Sequence, residues 1–134
     1  MKFEDQYIDV LQNIEFGIVI TYRNNPGMSD TEVMRMLEAL IDQYAAEKGG
    51  RPPRHFPLSE IEQTVLENVQ RMCEWRMGRG ILTNSPGKAR EMAPKPITID
   101  EIIICLKRVL KSVKRWNKEG GRRGYLDFIT QYVG

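Results

Sequence analysis

A single histidine, His55, stands in 134 residues, and it sits in a proline-rich stretch. Multi-histidine metal sites and helix-borne pairs of the HExxH type therefore have no material to be built from. With no nucleophile spaced near it, His55 reads as a loop residue capping backbone carbonyls rather than a general base. There are two cysteines, Cys73 and Cys105, separated by 31 residues inside periodic apolar segments. That is neither ligand spacing nor a secreted disulfide framework, so both are expected as reduced thiols in the core. The charge-free apolar stretch near the start, Phe16 to Tyr22, falls far short of the roughly 20 residues a membrane-spanning helix needs. No secretory leader pattern or lipidation signature opens the chain, no prenylatable cysteine closes it, and a cytoplasmic location is expected.

A phosphate-loop reading of Gly87-Lys88 fails as well. Leu82 stands where that motif requires glycine, Ala89 where it requires serine or threonine, and no strand precedes the pair. Glu15, on the apolar edge of the first helical segment, is a candidate buried acid, but the pattern assigns it no reaction. The seven methionines fall mainly at core spacing and serve as fillers. These absences together point away from an enzyme, a metal site or a bound cofactor.

What is present is helical. Ser29-Asp30-Thr31-Glu32, Ser59-Glu60-Ile61-Glu62 and Thr98-Ile99-Asp100-Glu101 each place a hydroxyl at an N-cap and a glutamate three residues on. In such a box the two side chains satisfy two orphan amides reciprocally. Met28 with Val33 and Ile97 with Ile102 add hydrophobic staples. The apolar positions agree: Val33, Met36, Leu37, Leu40, Ile41 and Tyr44 follow the three-and-four spacing of one helix face. So do Ile61, Val65, Val69, Met72 and Cys73, and then Ile102, Leu106, Val109, Leu110, Val113 and Trp116.

An earlier helix carries Tyr7, Leu11, Ile14, Ile18 and Tyr22 on one stripe and ends at Asn24-Asn25-Pro26-Gly27. It also bears Phe16 and Ile20 on the opposite side, a candidate apolar interface. Of the two explanations for such a helix, a central place in its own domain is favoured over cover by a partner. Glu119-Gly120-Gly121-Arg122-Arg123-Gly124 stops the fourth long helix, and Tyr125, Leu126, Phe128, Ile129 and Tyr132 mark a short last one. The expectation is an all-α fold: residues 1–134 as a single-domain bundle of four long helices plus a short C-terminal helix, without a sheet and with short antiparallel connections early on. Residues 49–57 should run partly as polyproline, and residues 78–97, with three prolines, three glycines and a net charge of +3, form a second long connection.

Charge divides sharply along the chain. Residues 1–67 hold 6 Lys/Arg against 12 Asp/Glu, whereas residues 68–134 hold 14 against 6. At about 100° per residue, Lys107, Arg108, Lys111, Lys114, Arg115 and Lys118 fall on one face of the fourth helix, opposite its apolar stripe. Arg122 and Arg123 would extend this row, and Gly124 would open the last helix with amides available to an anion. Such a row suits a polyanion or an acidic partner, and an amphipathic helix also turns lysine outward merely to stay wet. Trp116 projects to the apolar side, Ile104 interrupts the cations, and no recognition-helix, RNP or finger signature accompanies them. The favoured function is a non-enzymatic protein-interaction or self-associating module, a homodimer for example. Nucleic-acid binding through the basic face is the alternative.

Overall fold

The computed structural model describes residues 3–79 and 95–133, of which 3–6, 132 and 133 are described in backbone only. Among the described residues five helices follow one another: α1 (Phe3–Asn24), α2 (Asp30–Gly49), α3 (Glu60–Arg76), α4 (Ile99–Gly120) and, after a 3₁₀ turn at Gly121–Arg123, α5 (Gly124–Val133). No strand occurs among the described residues, and the all-α bundle is as expected. Each of the three hydroxyl–glutamate pairs opens a helix. The Ser59 and Thr98 amides donate to Glu62 and Glu101 at 3.1 and 3.0 Å, and the Ser29 amide donates to Glu32 at 3.0 Å. α1 departs from helical geometry once, at Tyr7, whose hydroxyl donates to Glu101 of α4.

Side-chain pairs fix the helix directions. Thr21 with Asn68 and Asp9 with Arg76 set α1 antiparallel to α3. Arg35 with Glu62 and Tyr44 with Glu74 set α2 parallel to α3, while Lys48 with Asp100 and Glu38 with Lys114 set α2 antiparallel to α4. The bundle therefore runs up, down, down, up. α1 and α2 run antiparallel through a short connection, as expected, but they scarcely meet, and α1 packs on α3, α4 and α5. The turn at residues 25–29 joins helices that lie diagonally across the bundle, because α1 buries its stripe against α3 and α5 as well as α4.

Parallel α2 and α3 require a return crossing, and the proline-rich connection supplies it. From Gly50 back to the level of Arg35 is about 22 Å of helix, and ten extended residues reach roughly 33 Å. The segment is pinned along the way: Arg51 and Arg54 bind Asp42, and the Pro57 carbonyl accepts from Arg35 at 2.8 Å. Prolines suit a strap of this kind, since they stiffen it and leave fewer amides to satisfy. The connection from α3 to α4, by contrast, comes back to where it left, with the Ile97 amide donating to the Arg76 carbonyl at 3.0 Å and Gly78 lying against Pro96. Its stretch 80–94, including Gly87-Lys88, lies outside the described residues.

One core joins all five helices through Ile14, Ile18, Leu37, Leu40, Val69, Leu106, Leu126 and their neighbours. Cys73 and Cys105 are both buried and unbonded within it. Burial pushes the Cys73 thiol up, and that of Cys105 up to about 12, so neither is a ready nucleophile at neutral pH. Two glycines let one helix approach the backbone of another. A Cβ at Gly17 would lie 3.2 Å from the Asn68 carbonyl oxygen and the Val69 Cα, and one at Gly124 would overlap the Trp116 carbonyl.

Candidate binding face of the fourth helix

α4 buries Ile102, Cys105, Leu106, Val109 and Val113, and this stripe fixes which residues must point outward. Lys107, Arg108, Lys111, Lys114, Arg115 and Lys118 are all exposed. They form a ridge with a shallow groove on either flank. On the α1 side, Leu11 and Glu15 face Arg108, Lys111, Ser112 and Arg115 across about 280 Å³. On the α2 side, Ile41, Ala45, Leu110 and Phe56 floor a wider hollow of about 430 Å³, with Lys107, Arg51 and Arg54 at its rim. Ile104, 45 % exposed, stands at the N-terminal end of the ridge.

The six cations are not equivalent. Lys114 reaches Glu38 at 3.8 Å, and Arg115 meets Glu119 at 3.4 Å while lying over the Trp116 ring. Arg108 lines the α1 groove. Lys107, Lys111 and Lys118 have no acidic partner among the described residues. Trp116 is less enclosed than its spacing suggested: it is half-buried and stacks on the exposed Phe128, ring centroids 4.3 Å apart and planes 14° from parallel.

The cations beyond the helix end go elsewhere. The Arg122 guanidinium donates to the Gly27 carbonyl at 3.3 Å, and Arg123, half-buried, lies 4.5 Å from the centre of the Tyr22 ring. Both turn toward the α1–α2 junction and do not prolong the ridge. Nor are the first amides of α5 available to an anion. Those of Tyr125 and Leu126 donate to the buried Asp30 carboxylate at 3.0 and 3.3 Å. Asp30, one residue past the α2 cap, thus serves a second helix start 95 residues away, and its own burial raises its pKa against the pull of those amides.

Phe16 and Ile20 are 45 % and 37 % exposed, and Ile8, 46 % exposed, precedes them at helical spacing. The expectation that α1 is enclosed on both sides is therefore overturned, because α3, α4 and α5 approach it from one side only. His55 is exposed and makes no hydrogen bond among the described residues, so the capping role expected of it is absent. No group of three His, Cys, Asp or Glu residues gathers as a metal site among the described residues. No described helix is long and apolar enough to cross a membrane.

One feature near the ridge escaped the sequence reading, the clamp beneath the strap. Asp42 accepts from the Arg51 guanidinium at 2.8 Å and from the Arg54 amide and Nε at 2.7 and 3.1 Å. It is 4 % exposed because the arginines cover it, rather than because it lies in the core, and they hold its pKa down to about 2. The signal was one acid on the polar side of α2 with two arginines 9 and 12 residues on, a spacing that carries no meaning until the strap doubles back. Glu15, the candidate buried acid of the sequence, is half-buried beside the α1 groove. Desolvation pushes its carboxyl up to about 7, with the buried Tyr125 hydroxyl nearby pulling the other way. The two groups face each other without reaching hydrogen-bond geometry, which leaves that hydroxyl unpaired.

The charge division of the sequence has a simple spatial outcome. Several acids of the first half are spent within the molecule: Asp9 on Arg76, Glu38 on Lys114, Asp42 on the strap, Glu47 on Arg79, Glu62 on Arg35. Glu60 and Glu67, exposed on α3, meet no cation among the described residues, and the exposed Arg71 of the same helix meets no acid. On α4 the unanswered charges are Lys107, Lys111 and Lys118. No family model matches the chain, and neither the curated proteins nor the solved structures hold a significant match to it.

Proposed function

We propose that the protein is a non-enzymatic interaction module that docks an acidic protein segment along the exposed ridge of α4. One observation carries this reading: Lys107, Lys111 and Lys118 form a cationic row with no acidic partner among the described residues, beside a groove with an apolar floor. The apolar floor on the α2 flank, and Ile104 at the end of the row, suit a protein better than a phosphate backbone, which is tracked by continuous charge. The buried, unbonded thiols fit work in the reducing cytoplasm.

Titration of labelled polyglutamate against the protein and against a Lys107→Gln/Lys111→Gln/Lys118→Gln variant tests the proposal. Binding should weaken at least roughly tenfold in the variant, and also in the parent as salt rises from about 0.05 to 0.3 M. Equal binding by parent and variant overturns the reading. So does duplex DNA or RNA bound more tightly than polyglutamate at the same salt, which would transfer the ridge to nucleic acid.

A further inference from the structure

The two grooves beside α4 differ in construction, and the one on the α2 side is the more completely built. Its floor is apolar: Ile41 and Ala45 from α2, Leu110 from α4, and Phe56 from the strap. Its rim is cationic: Lys107, Arg51 and Arg54. Asp42 holds both arginines in place, taking the Arg54 amide and Nε, while the Arg54 guanidinium also lies 5.7 Å from the centre of the Phe56 ring. The two terminal amino groups of Arg54 therefore project outward from a fixed fork, without partners among the described residues, on a side chain 74 % exposed. A guanidinium held in this way binds a carboxylate with less ordering cost than a free surface lysine. The acid sharing the rim, Glu38, is turned to Lys114.

From this juxtaposition we infer that the hollow between α2, α4 and the strap is a specificity pocket, taking one large apolar side chain of the partner while Arg54 and Lys107 grip the carboxylates flanking it. The inference rests on the reading of α4 as a docking ridge for an acidic segment and names what that segment must carry: acids interrupted by a leucine-like or phenylalanine-like anchor. A volume of about 430 Å³ accommodates such a group. A nucleobase lacks a platform there, because the aromatic ring of the floor, Phe56, is half-buried and has Arg54 over it. Charge on the ridge would attract many acidic chains, and the pocket would choose among them.

Two peptides of equal net charge separate the ideas: polyglutamate, and a peptide with the same number of glutamates into which leucine is inserted at every fourth position. The leucine peptide should bind the parent roughly tenfold more tightly. Filling the hollow with Ala45→Leu, an exchange between two good helix formers, should erase that advantage and leave polyglutamate binding within about twofold. Arg54→Gln, at an exposed side chain, should weaken the leucine peptide several-fold more than polyglutamate, and it decides the matter if Ala45→Leu does not fold. Equal affinity of the two peptides for the parent overturns the pocket and leaves the ridge standing. A leucine advantage that survives both substitutions also overturns the pocket. Binding of neither peptide overturns ridge and pocket together.

Discussion

Lys118 and Arg122 are four residues apart and read from sequence as parts of one basic run, yet the molecule uses them in opposite ways. The lysines of α4 stand off the surface, and three of them meet no acid among the described residues. Arg122 and Arg123 fold back, one onto a carbonyl of the α1–α2 turn and the other onto a tyrosine ring. The difference lies in the backbone between them. While the helix lasts, the outward side of α4 is fixed by its buried stripe, and a cation there reaches solvent, a visitor or at most an acid on the surface beside it. Once Gly120 and Gly121 end it, the chain turns in, and the same chemistry becomes part of the internal joinery. A count of basic residues therefore measures neither stability nor binding until each has been placed.

Substitutions can break this contrast, beginning on the side that serves the fold. Gly124→Ala should be the most damaging, because its methyl collides with the Trp116 carbonyl and prevents α5 from seating; a loss of about 3 kcal/mol or more in chemical denaturation is expected. Asp30→Ala leaves two buried amides without an acceptor and should cost about 2–3 kcal/mol, read in the same way.

Glu15→Gln tests the flank of the ridge, with the opposite sign. The folded-state carboxyl titrates at about 7, above its ordinary value of 4.5. Below pH 4.5 both folded and unfolded chains keep the proton. As pH rises from there toward about 7 the folded chain keeps a proton the unfolded chain has released, so the stability of the parent falls, and above 7 it levels off. The glutamine variant should be more stable by on the order of 2 kcal/mol at pH 8, with no gain at pH 4. A variant equally stabilised at both values would remove burial of the charge as the cause. Arg123→Gln should cost about 1 kcal/mol, from its contact with Tyr22. Neutralising Lys107, Lys111 and Lys118 together should move stability by no more than about 0.5 kcal/mol. A larger loss would mean that the ridge helps hold the bundle together, and the contrast with Arg122 and Arg123 would collapse.

Local physics explains how much was legible beforehand. Ser29, Ser59 and Thr98 announce their helices because a cap and its glutamate are three residues apart, and the core stripes follow from helical period alone. Cys73 and Cys105 were legible as core for the same reason. The acid under α5 was not, since Asp30 looks like an ordinary first-turn carboxylate of α2 until residue 125 is brought to it. Helix directions were equally hidden. A short turn normally joins neighbours, but the diagonal placement of α1 and α2 depends on which stripes bury best against all the others. The ridge was visible as a face of α4, whereas its grooves, the strap and the Arg54 fork come from three separate stretches of chain. Exposure of Phe16 and Ile20 was missed because a doubly apolar helix gives no sign, in its own residues, of how many neighbours it will have.

The link from Asp30 to residues 125 and 126 also orders events in time. A chain made from its N-terminus at about 5–20 residues per second presents α1 and α2 some seconds before α5 exists. Throughout that interval the Asp30 carboxylate lacks the amides it will finally hold, and the cavity that α5 fills stays open to water. Closure waits on a contact spanning most of the sequence, which is the slow kind to form. During synthesis the half-made bundle is thus an exposed intermediate, and completion of its C-terminal turn is the moment at which it stops being one.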